Sequence, residues 1–178
     1  MIQYFNFIDN EFIAGIVHTK RISAQKIAQY ILINNADFSK LIQDVNTEIN
    51  TSDETFLKLG DELVSIKTRL ENKIKDKNGL TDNNRVKKIF TILKNETAKK
   101  VKVFDISTIN KVVKISSNAK ITAYRNDKTL PNRWGTLYVL ASLSDDQIDN
   151  LIITHNITSE ITRKELSKLV DDIKGKVA

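Results

Sequence analysis

The chain has no cysteine, one proline and five glycines in 178 residues, with a single tryptophan and two histidines. Each scarcity excludes something. Without cysteine there are no disulfides, no thiol catalysis and no cysteine-type zinc site. His18 and His155 lie far apart in the sequence and cannot alone make a metal site. All-β folds need frequent turn residues, and βαβ folds need glycine-rich loops. Neither supply is present, so the expected fold class is all-α. Apolar runs such as FIAGIV are far too short to span a bilayer. The opening MIQYFNFIDNEF carries acids and has neither a basic start nor a small-residue cleavage site, so no signal peptide is expected. A cytoplasmic protein is the expectation, with no membrane partner. GxGxxG, P-loop, GxSxG and HExxH motifs are all missing, so no enzyme, cofactor or metal is expected.

What is present is positive charge, and it is concentrated. The net charge is +6, but residues 85–133 carry 13 Lys/Arg against 3 Asp/Glu, a balance of +10. The segments on either side are each at −2. Charge of one sign gathered in one segment attracts polyanions and steers their approach. Lys87, Lys88, Lys99, Lys100 and Lys102 open this segment as candidate phosphate contacts, which set position without carrying sequence information. A lysine-rich helix can also be plain soluble surface, but such surfaces usually mix both signs.

Apolar spacing organises the rest. Residues 2–17 are aromatic and apolar and fit a short strand or a helix equally. From Ser23 the pattern is helical through Ile27, Ile31, Phe38, Leu41, Val45 and Ile49, with a break suggested at NNAD. NTSDE supplies helix-start residues before Phe56, Leu59, Leu63, Ile66 and Leu70, which step by three and four. Two long helices joined there form a hairpin, or a seam for a homodimer. KDKNGLTDNN, residues 75–84, is the clearest loop. The expected domains are therefore 1–76, a helical oligomerisation region, and 81–178, a compact bundle of short helices.

Within that bundle, residues 105–114 and 117–125 read as two short helices of a helix-turn-helix, begun by Asp105 and Ser116. Ser117, Asn118, Lys120, Thr122 and Arg125 would reach bases or phosphates, with Ala119, Ile121 and Tyr124 facing the core. Lys111, Lys114, Lys128 and Arg133 complete the candidate DNA-binding set. An ordinary helical hairpin with a solvated polar face remains the alternative. Trp134 stands beside Leu137, Tyr138, Leu140 and Leu143 at helical spacing, which favours a core plug over a base-stacking platform. Ser144 reads as a cap, and Thr162 with Glu165 as a capping box.

The block LPNRWGTLYVLASLSDD followed by ITRKELSKLV resembles a family of small phage- and plasmid-encoded helix-turn-helix proteins of unknown function. These carry an LPxxWxTLYxLxxL block and then TRK followed by Asp or Glu. The matching residues are Leu130, Pro131, Trp134, Thr136, Leu137, Tyr138, Leu140, Leu143 and Thr162 to Glu165. FLKLGDELVSIKTRL resembles an upstream segment of the same family. The resemblance implies a DNA-associated role in a mobile element. The sequence differs from that pattern in its first 50 residues and around residues 99–105. The leading expectation is a double-stranded DNA-binding protein, sequence-specific or structure-tolerant, acting in transcription control, partition or packaging. The rivals are an adaptor or inhibitor that binds an acidic host protein through the same basic surface, and an enzyme acting on nucleic acid.

Overall fold

The computed structural model describes residues 22–47, 53–76, 78–102 and 104–175. Those residues are all-helical, with one isolated antiparallel bridge between Lys75 and Thr81. The undecided segment 2–17 lies outside the described residues, as does most of the NTSDE junction.

Ser23 caps α1 (Ala24–Asn34) by accepting from the Lys26 amide at 3.3 Å. The break suggested at NNAD falls at Asn35, so this stretch holds two shorter helices, α1 and α2 (Ala36–Thr47), rather than one long one. The cause is local. The Asn35 side chain accepts from the Phe38 amide at 3.0 Å, competing with the helix ladder, while its own backbone amide still closes α1 on Ile31. Its Nδ2 donates to Glu62 of α3 (Asp53–Lys73) at 3.2 Å.

The loop at 75–84 forms as expected. Asp76 Oδ1 accepts from the amides of Asn78 and Leu80, and Gly79 turns the chain at φ +75°. Asp82 then caps α4 (Asn83–Lys100), which packs along α1. Asn46 of α2 closes the far end of α4, donating to the Lys100 carbonyl and accepting from the Lys102 amide, both at 2.8 Å.

Next come α5 (Ile106–Ser116), α6 (Ala119–Asn126), α7 (Trp134–Leu140), α8 (Asp145–His155) and α9 (Arg163–Gly175). Asp105 caps α5 through the Thr108 amide at 2.8 Å. The cap of α6 is Asn118, not Ser116, and α6 starts two residues later than expected because Ser116 is still in the last turn of α5. The capping boxes Ser144–Gln147 and Thr162–Glu165 both form.

Chain contacts divide the protein into two compact units, Met1–Thr51 with Glu62–Ile109 and Ser52–Asp61 with Asn110–Ala178. The division does not fall at the 75–84 loop, where the sequence suggests it. α4 belongs with α1 and α2 because its buried face, Val86, Ile89, Phe90 and Leu93, lies along α1. The second unit has a core of Leu57, Ile115, Ile121, Leu137, Leu151 and Leu166 among others. Trp134 packs against that core but is only partly buried. Its backbone N–H donates to the Asp53 carboxylate, which desolvation nevertheless holds above its ordinary pKa, against the opposing pull of Arg133 and of this hydrogen bond.

The seam proposed for dimerisation is occupied. Phe56, Leu59, Leu63, Ile66 and Leu70 are all buried within the single chain.

Candidate nucleic-acid interface

In the first unit the basic residues cluster on the open side of α4. Val86, Ile89, Phe90 and Leu93 turn inward. That leaves Asn84, Lys87, Lys88, Thr91, Asn95 and Lys99 exposed at three- and four-residue spacing. Lys87 and Lys88 carry no ion pair among the described residues. Lys99 pairs with the half-buried Glu96 at 2.6 Å yet stays 70% exposed. Lys100 and Lys102, at the end of the helix, are also exposed. Lys94 is different: its ammonium lies 5.4 Å from the Phe90 ring centre, and burial pushes its pKa down. The exposed stripe therefore holds lysine with Asn and Thr, residue types that donate to phosphate oxygens. Asn84, Thr91 and Asn95 were not among the expected contacts. Their spacing relative to Lys87 and Lys88 was the signal available.

In the second unit the expected recognition helix is differently disposed. Asn118 spends its side-chain oxygen on the Ile121 amide at 3.0 Å, as a cap. Lys120 pairs with Asp149 of α8, whose other carboxylate oxygen accepts from the Tyr124 hydroxyl at 2.9 Å. The Lys120 bond, and then the Tyr124 bond, hold the Asp149 carboxyl below its ordinary pKa. The same hydrogen bonds raise the pKa of Lys120 and of Tyr124. The side chain of Arg125 is 9% exposed and ion-paired with Asp61. The hydroxyl of Thr122 is buried without a partner. Ile121 is buried and Tyr124 packs on the core, as expected, whereas Ala119 is exposed. Of the five residues expected to reach bases or phosphates, Ser117 is exposed and the other four are partly buried.

Around that helix, Lys128 and Arg133 are exposed. Lys111 and Lys114 of α5 both lie over one ring, that of Tyr138 on α7, at 5.8 and 5.7 Å from its centre. Spacing alone had made Tyr138 only a core neighbour. No described cluster of His, Asp or Glu could hold a metal ion. No helix among the described residues is long and apolar enough to cross a membrane.

Compared with protein families, with curated proteins and with solved structures, the chain matches none.

Proposed function

We propose that this protein binds double-stranded DNA through its phosphates, in a largely structure-tolerant way, and that it performs no chemistry on it. The observation that carries the reading is the open face of α4. Lys87 and Lys88 stand there without carboxylate partners among the described residues, flanked by Asn84, Thr91 and Asn95. An ordinary solvated face interleaves acids with its lysines, whereas a phosphate-binding face does without them. Structure tolerance follows from the second unit. Asn118 and Arg125, the side chains suited to adenine and guanine, are engaged within the chain. Within the second unit, Lys111 and Lys114 are further candidate phosphate contacts. The setting we propose, a mobile element using the protein in transcription control, partition or packaging, rests only on the resemblance of the LPNRWGTLYVLASLSDD and ITRKELSKLV blocks to phage- and plasmid-encoded proteins. A homodimer forms no part of this proposal, because its seam is buried.

Fluorescence anisotropy of a labelled duplex at several salt concentrations tests the reading. Neutralising roughly five phosphates gives a slope of log K against log salt of about −4 to −5. Exchanging Lys87 and Lys88 together for Gln should flatten that slope by about 2, equally for unrelated sequences. Absence of binding even at low salt would discard DNA in favour of an acidic protein partner.

A further inference from the structure

Arg125 combines deep burial with unused bonding capacity. Its Nη2 donates to Asp61, but its Nη1 is buried with no partner. A guanidinium that is 9% exposed cannot recover the missing bond from bulk water, and a donor left in that condition is costly. Beside it is a cavity of about 280 Å³ within the second unit. Arg125, Asp61, Asn126, Lys128 and Asn132 contribute to its lining, as do Lys58 and Glu54. Lys58 and Glu54 neutralise each other at 2.8 Å. Asp61 neutralises Arg125. The Lys128 ammonium and the two amides remain as surplus donors.

Lys128 adds an independent observation. It sits just past the end of α6 with φ +60°, a left-handed conformation in which glycine is the least strained residue. The strained backbone of Lys128 places a lysine, where glycine would be easier, in the lining of a donor-rich cavity.

We propose that this cavity is a phosphate-group site, with Arg125 and Lys128 as its cations and Asp61 as an internal occupant that the phosphate displaces. The two members of the Arg125–Asp61 pair differ in what they need. Asp61 is 38% exposed, so once released it is solvated by water. Arg125 is not exposed enough for that, so an acceptor has to be brought to it. A phosphate that takes the place of Asp61 on Nη2 brings more negative charge than the carboxylate it replaces. The inference rests on the nucleic-acid reading only for the source of the phosphate, a DNA backbone or free inorganic phosphate.

The test follows the guanidinium NMR signals of Arg125 in the full chain while inorganic phosphate is added, with chloride at matched ionic strength as control. The expected result is a saturable shift with phosphate alone, at lower concentration in Asp61→Asn. Lys128→Gly should fold at least as stably as wild type, since it removes the strained φ, yet require more phosphate. No phosphate-specific shift in either wild type or Asp61→Asn overturns the site, whatever the duplex does. A duplex titration separates the sources. If the phosphate group is that of DNA, Arg125→Gln reduces the salt slope by about one. If it is free phosphate, Arg125 responds to the ion while the duplex slope is unchanged. A phosphate response in a protein that binds no duplex keeps the site and removes the DNA reading. Duplex binding with a silent Arg125 does the opposite.

Discussion

Gly60 is where a single methyl group decides how α3 and α5 pack. A Cβ built there would lie 2.7 Å from Ser116 Oγ and 2.8 Å from the Val112 carbonyl oxygen. The hydroxyl can rotate away, but the carbonyl belongs to a helix and cannot. In mid-helix, alanine is favoured over glycine by roughly 0.5–1 kcal/mol. Overpacking costs roughly 1–3 kcal/mol and outweighs that gain. Gly60→Ala should therefore lower the denaturant midpoint rather than raise it, which a urea melt will show. Asp149 gives a residue-scale prediction in pH. Its carboxyl is held below the ordinary value of 3.8 by Lys120 and Tyr124. The stabilisation from those bonds is complete above that value and is lost as pH falls through the lower, folded one. Asp53 has the opposite sign: desolvation raises its carboxyl, so acidification relieves a cost there. Comparing urea melts at pH 6 and pH 3, wild type should lose more stability on acidification than Asp149→Asn, while the variant is the weaker of the two at pH 6.

Element boundaries were legible where the chemistry is local. Asp105, Ser144 and Thr162 all cap within three residues of themselves, and short spacing reveals that in any sequence. Asn118, expected to reach a base or a phosphate, caps α6 with its side-chain oxygen, because a short amide can serve either purpose. The counter-charges were not legible. Asp61 lies 64 residues from Arg125, and Asp149 lies 29 from Lys120. No periodicity links such pairs, so residues that look free on a helical projection turn out to be engaged. Asn35 is the test at this scale. It opens α2 through the Phe38 amide and reaches Glu62, with only 7% of it exposed. Asn35→Ala removes both bonds and strands a buried amide, so a loss of about 1–3 kcal/mol is expected. An equilibrium denaturation curve within 0.5 kcal/mol of wild type, to take roughly the scatter of neutral surface changes, would contradict that role.

For the whole molecule, the sequence made the all-α class plain, while chain contacts divide the units elsewhere than at the 75–84 loop. Low glycine and proline content is a property of the entire chain, so it bears on fold class directly. The grouping of helices depends on which apolar faces meet, and α4 meets α1 across the 48 residues of chain that separate Asn34 from Asn83. The heptad-like seam of α3 carried two readings, between chains or within one, and its burial leaves no exposed stripe for a second copy. Light scattering should accordingly give a mass near 20.3 kDa at tens of micromolar. A mass twice that value would mean that another surface pairs the chains.

The second unit is assembled from two separated pieces of chain, Ser52–Asp61 and Asn110–Ala178. This has a consequence for the order of events during synthesis. Leu57 is made early, yet its neighbours in the core run from Ile115 to Val170. At about 5–20 residues per second, a ribosome needs on the order of 5–20 s to deliver the last of them. Through that interval Leu57 has no core to enter, and a truncation at the 75–84 loop would make the delay permanent. Cutting the gene there, as the sequence invites, would separate a helix from the bundle that it completes.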